Sequence, residues 1–222
     1  MLNFDVPNSH LGWGDAVKNG IWCVGIEEGG KSFENLTLEE QKYFQTLWEP
    51  YVPPSVGRVA PSATQIGIKQ ARILSKNLDE AKEYKDRVLW KPGSGVCCSN
   101  LFPLPRPRLI EQQDYLKWGF ESEIEYQKKV EEVRWRKMRE EHYRLIPRAT
   151  LCFGTRSWPS FKKCFGINAT PLKLEGGRIE LYDEGPGRLF ILLPHFAFWH
   201  LRKTDIDAVR AQLKNVGAIS LT

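Results

Sequence analysis

The chain predicts an α/β fold: a three-layer α/β/α sandwich around a central, mostly parallel four-stranded sheet. Four short apolar runs carry the prediction: Ile21-Trp22-Cys23-Val24, Val96-Cys97-Cys98, Ala149-Thr150-Leu151-Cys152-Phe153 and Leu189-Phe190-Ile191-Leu192-Leu193. Each is continuous rather than alternating, the pattern of a strand buried on both faces. Helical segments separate the runs, giving the strand–helix rhythm of a sheet covered on both sides. Each run also ends on a small cluster of special or polar residues: Gly25-Ile26-Glu27-Glu28-Gly29-Gly30, Ser99-Asn100, Gly154-Thr155 and Pro194-His195. In open α/β sheets ligands bind outside the carboxyl ends of the strands, so Glu27, Asn100 and His195 should converge on one crevice.

The elements follow in chain order. Residues 1–20 read as an irregular N-terminal arm, and the first strand occupies about 21–26. Leu38 to Leu47 reads as a short helix with Thr37 as N-cap. Ser62 caps a second helix to about Asn77, with Ile66, Ile73 and Leu74 at helical spacing. The second strand, about 94–100, runs into Pro103, Pro105 and Pro107, which forbid helix and keep the chain extended. Residues 109–146 form a charged helical segment of mixed sign. Its favoured reading is a solvated helix laced with i,i+4 pairs, and its alternative is a set of phosphate contacts. The third strand, 148–154, precedes a helix from Trp158 to Cys164, with Ser157 as cap, Pro159 in the first turn and Gly166 past its end. Gly176-Gly177 between Leu172-Lys173-Leu174 and Arg178–Tyr182 signals a hairpin. The fourth strand spans 188–194, and Thr204, with Asp207 three residues on, caps a last helix to about Asn215. No break divides the chain, so residues 1–222 are expected to form one domain.

Composition narrows the classes of function. Hydrophobic residues make up 41% and charged residues 27%, the balance of a globular soluble protein. No run is long enough to cross a membrane, and MLNFDVPNSH lacks a basic-then-apolar leader pattern, so a cytoplasmic location without membrane partners is expected. Four of the five cysteines, Cys23, Cys97, Cys98 and Cys152, sit in or beside the apolar runs and read as buried free thiols, as does Cys164. There is no C-x-x-C pair, and neither metal nor cofactor is expected. A net charge of +5 and a pI near 8.9 suit a polyanionic partner. Abundant aromatics could stack on extruded bases or wedge between them, although most should be core.

The ordered clusters resemble the uracil-DNA glycosylase superfamily from about Ile21 to Gln212. Gly25-Ile26-Glu27-Glu28-Gly29 resembles the family's motif after its first strand, with Glu27 for the usual Asp or Asn and Glu28 for proline. Cys98-Ser99-Asn100 resembles its base-reading Asn at a strand end. Ala149 to Gly166 resembles its strand, glycine and helix. His195-Phe196-Ala197, then Phe198-Trp199, resembles its last motif and DNA-penetrating loop, with Phe196-Ala197 for Pro-Ser.

The resemblance implies a monofunctional DNA glycosylase, acting as a monomer on a nucleotide flipped out of DNA, in repair or antiviral defence. Breaking an N-glycosidic bond builds positive charge on the sugar and negative charge on the base. Glu27 would stabilise the cation and orient or deprotonate a water, with Glu28 as its coupled neighbour. His195 would donate to the departing base, with His200 as a second candidate. Asn100 would read the base edge. Gly29 stands where some members place a screening Tyr, which implies a roomier pocket for thymine, bulky 5-substituted pyrimidines or deaminated purines. Phe33, Tyr51 or Phe102 would stack on the base. Phe198 and Trp199 would wedge into the duplex, and Arg202, Lys203, Arg106, Arg108 and Arg156 would hold phosphates. Each residue also has a plainer role: solvated loop carboxylates for Glu27 and Glu28, a turn brace for Asn100, a hydrogen-bonded structural His195, and a surface loop at Phe198-Trp199. Two further functions stay open: a non-catalytic nucleic-acid-binding protein of the same fold, or a hydrolase of free nucleosides.

Overall fold

In the computed structural model the described residues are 13–14, 16–29, 38, 63–89, 91, 93–106, 112–185, 188–195 and 201–219. Seven strands are described: β1 (Trp13–Gly14), β2 (Ile21–Gly29), β3 (Val96–Arg106), β4 (Ala149–Phe153), β5 (Leu172–Leu174), β6 (Ile179–Asp183) and β7 (Leu189–Leu193). They form one sheet in the order β1-β3-β2-β4-β7-β6-β5. The four apolar runs are the four central strands, side by side and parallel. The α/β class therefore holds, but the expected four-stranded sheet does not. Antiparallel strands widen it: β1 on the β3 side, β6 and then β5 on the β7 side. The Gly176-Gly177 hairpin is present as β5 and β6, and β6 joins it to the main sheet.

Alternate residues of the central strands feed two separate cores. Trp22, Val24, Cys152, Phe190 and Leu192 face one; Ile21, Cys23, Leu151, Phe153, Ile191 and Leu193 face the other. β4 and β7 are buried along their whole length, as continuous apolar runs require. Each Leu, Ile or Phe so placed contributes about 1.5–3 kcal/mol. The first core is closed by α3 (Gln112–Lys117), α4 (Glu123–Val130), α5 (Arg136–Leu145) and α6 (Trp158–Phe165). The second is closed by α1 (Ala63–Leu74), α2 (Ala81–Arg87) and α7 (Lys203–Asn215). All five cysteines are buried.

Local physics corrects several sequence expectations. The helix expected from Ser62 to Asn77 is α1, which stops at Leu74. Its end is capped from another element: the Arg210 guanidinium of α7 donates to the carbonyls of Arg72, Ile73, Ser75 and Lys76 at 2.6–3.2 Å. α7 starts one residue before the expected cap Thr204. Its N-cap is Arg202, whose N–H donates to the Asp205 carboxylate at 2.8 Å. Asp205 is fully buried and also receives two hydrogen bonds from Arg178. α6 matches expectation, with Pro159 in the first turn and Gly166 in the left-handed conformation at its end, yet Ser157 makes no side-chain cap bond. Of the helix expected over Leu38–Leu47 only Leu38 is described, and it is helical; Thr37 lies outside the described residues.

The charged segment 109–146 departs furthest from its favoured reading. It is not one solvated helix. α3, α4, a π-helical turn (Glu131–Trp135) and α5 succeed one another, and Arg134, Trp135, Met138, His142 and Leu145 are buried against the sheet.

Candidate functional site

The site residues lie on or just after β3, β2, β4 and β7, which are neighbours in that order in the sheet. Gly25 of β2 pairs with Asn100 of β3. A Cβ at Gly25 would overlap Asn100 Oδ1 and stand 2.8 Å from Phe153 Cε2. Only glycine leaves room for both the amide and the ring to approach this strand. Phe153, the last residue of β4, stands 5.8 Å from His195 between ring centroids. The main-chain N–H of Gly154 donates to Leu193 O at 3.0 Å, tying the end of β4 to the end of β7 two residues before His195. Gly154 has φ 126°, and a Cβ there would press on Ile26, so this link also requires glycine. Asn100, Phe153 and His195 thus form a line that runs over Gly25 to the ends of β4 and β7.

Asn100 is not at the end of its strand, as expected, but within it, because β3 continues to Arg106. From Glu27–Phe102 to Gly29–Arg106, two steps on β2 match four on β3. That bulge contains Pro103 and Pro105, which a regular central ladder would reject. Among the described residues β1 pairs with β3 at Cys97 and Cys98. Beyond that point side chains of the helical segment bind β3 instead. Arg134 donates from Nε to Asn100 O at 2.9 Å and from a terminal nitrogen to Ser99 Oγ at 3.1 Å. Trp135 Nε1 donates to Leu101 O at 3.2 Å, and Tyr126 Oη accepts from the Leu104 N–H at 3.1 Å. π-helical turns recur at functional sites, and this one presents Arg134 and Trp135 to consecutive residues of β3.

The other candidates are distributed as follows. Glu27 lies on β2 two residues beyond Gly25 and pairs with Phe102; Glu28 and Gly29 follow on the same strand. The side chains of Glu27 and Glu28 lie outside the described residues. Phe102 is interior: it is 8% exposed and its ring packs on Tyr126 and Trp135. Burial among these rings takes Phe102 away from the Asn100–Phe153–His195 line. Arg156 is exposed on the turn Thr155–Ser157 that follows β4. Arg202 and Lys203 are exposed where α7 begins, and Lys203 pairs with Asp207 at 3.2 Å. Arg106 ends β3, its side chain outside the described residues. Phe33, Tyr51, Arg108, Phe198, Trp199 and His200 also lie outside the described residues. Sequence reasoning missed Phe153 and Arg134. An apolar residue closing a strand, and an arginine among many charges, carry no local signal of their own.

His142 is buried far from this line. It contacts Thr150, near the start of β4, through Nε2 at 2.8 Å and stacks on Phe190 at 5.0 Å. Burial, with Arg188 nearby, lowers its pKa to about 4, so it is neutral at pH 7. Among the described residues no group of three or more His, Cys, Asp or Glu is placed to hold a metal ion, and no helix is long and apolar enough to cross a membrane. No protein-family model matches the chain, and no curated protein matches it.

Proposed function

We propose that this chain is a monofunctional DNA glycosylase that hydrolyses the N-glycosidic bond of a damaged or modified base turned out of the helix. One observation supports it above others: Asn100 and Phe153 both border the space over Gly25, Phe153 adjoins His195, and Glu27 lies two residues beyond Gly25 on β2. An amide that reads a base edge, an aromatic face, an imidazole donor and a carboxylate are the groups this chemistry uses.

In this mechanism Asn100 pairs with the base edge and Phe153 supplies an apolar floor. As the C–N bond stretches, His195 donates to the base, where negative charge collects. Glu27 stabilises the developing positive charge on the sugar and orients a water. The water oxygen bonds to the sugar carbon, the C–N bond breaks, and the water's second proton leaves with the free base. Glu28, its neighbour in the chain, would be coupled to Glu27. Phe198 and Trp199 fill the gap left in the duplex, and Arg156, Arg202 and Lys203 hold phosphates. The absence of a side chain at Gly29 favours a bulky 5-substituted pyrimidine. The protein acts as a monomer in the cytoplasm, in repair or in defence against viral DNA.

Mass spectrometry of free bases tests this. Plasmid DNA and phage DNAs with different natural base modifications are incubated with the protein. Release of one base, leaving alkali-labile sites, is expected. Turnover of free nucleosides with no base lost from DNA would contradict it.

A further inference from the structure

We infer that Arg134 is a positioning residue that sets how Asn100 addresses the base, an inference that rests on the glycosylase reading. Arg134 is 3% exposed and sits in the π-helical turn, in a segment otherwise rich in surface charge. Its guanidinium holds two consecutive residues of β3 at once, the carbonyl of Asn100 and the hydroxyl of Ser99. It grips β3 beyond the two residues covered by β1 and before the irregular pairing around the prolines. There β3 still pairs with β2, Ser99 with Val24 and Asn100 with Gly25, and the Asn100 side chain borders the space over Gly25 that Phe153 also borders. A fork of fixed geometry can hold both oxygens, whereas an ammonium is a point donor. A binding group must be held within about 0.5 Å of its productive place, and a displacement of about 1 Å can cost 10²-fold in rate. Arg134 touches no base in this scheme; it acts through Asn100.

Arg139 provides the control. It lies on the same helical segment and also donates to two main-chain oxygens, Cys164 O at 2.6 Å and Lys163 O at 2.8 Å, but these belong to α6. Loss of Arg139 should disturb packing without moving Asn100. The test uses the full chain as wild type, Arg134→Met, Arg134→Lys and Arg139→Met. Duplexes carrying uracil, thymine, 5-hydroxymethyluracil or hypoxanthine are the substrates, with kcat and KM measured for each base released. The side-chain amide resonances of Asn100 are followed by NMR. Arg134→Met should lower kcat for the preferred base, and its preference over the next, by about tenfold to a hundredfold, with KM less affected. Arg134→Lys should fail to restore the preference, and the Asn100 amide signals should shift in both Arg134 variants. Arg139→Met should keep preference and amide signals while melting earlier. An active wild type whose preference is unchanged in Arg134→Met overturns the inference and leaves the glycosylase reading standing. Unmoved Asn100 signals in that variant overturn it as well. A wild type that releases none of the four bases, nor any base from natural DNAs, overturns the reading and this inference with it.

Discussion

The Phe153 ring and the His195 imidazole stand 5.8 Å apart, tilted by 59°. This contact joins the end of β4 to the residues after β7, and on its other side Phe153 crowds the space above Gly25. Phe153 thus stands between the space over Gly25 and the His195 ring. Phe153→Leu keeps most of the buried bulk and removes the flat face. It should cost about 1 kcal/mol of stability, within the range of core swaps of similar size, yet reduce base release at least tenfold. Urea unfolding and a single-turnover assay separate the two effects. Equal activity with the expected small loss of stability would remove Phe153 from the site.

Gly25→Ala places a methyl group where Asn100 Oδ1 and Phe153 now lie. Both must move, and overpacking of this kind costs about 1–3 kcal/mol. Stability should fall by that amount and base release should fall further, because two site groups shift together. Gly25→Ala with wild-type stability would mean that the amide and ring do not share this space.

Acid should weaken the fold through His142. Its pKa falls from 6.5 to about 4 on folding, so between those values the unfolded chain binds a proton that the native chain refuses. Stability is therefore present above pH 6.5 and drains as pH falls toward 4, at up to about 1.4 kcal/mol per pH unit. Denaturant midpoints measured between pH 7 and pH 4.5 should show this slope. His142→Gln, which retains a hydrogen-bonding group for Thr150, should flatten it. An unchanged slope in the variant would assign the acid sensitivity to other groups.

Arg210→Met should be among the more damaging single changes outside the site. Four carbonyls at the end of α1 lose their donor, and α7 loses its anchor. A loss on the order of 3 kcal/mol is expected, lowering Tm by about 6–12 °C in a chain of this size. Calorimetry that shows a drop of under about 2 °C would contradict the capping role.

The parallel centre of the fold was legible because burial on both faces writes an unbroken apolar run, as at Leu189–Leu193. The edges were not. β1 has two residues and β5 three, and their place in the sheet depends on main-chain pairing that any side chain permits. Thr204 fits the rule for an N-cap, but the carboxylate of Asp205 outcompetes it because Arg178 holds Asp205 beside the helix start. In the helical segment, Arg134, Met138, His142 and Leu145 recur at intervals of four, four and three, a buried stripe. Charged neighbours and the stripe's own arginine and histidine concealed it. At the site, Asn100 and His195 stood out as polar residues after apolar runs. The bulge that places Asn100 inside β3, and the ring of Phe153 beside it, arise from tertiary packing that no local pattern records.

The most direct test of the central claim counts abasic sites. Duplexes that carry the base the protein releases are cleaved with alkali after single-turnover incubation with wild type, Glu27→Ala and His195→Ala. Wild type should yield abasic product, His195→Ala should be slower by about 10²–10³, and Glu27→Ala should be impaired at least as severely. Abasic product formed at the wild-type rate by both variants would contradict the account, as would wild-type protein that binds DNA and leaves every base in place.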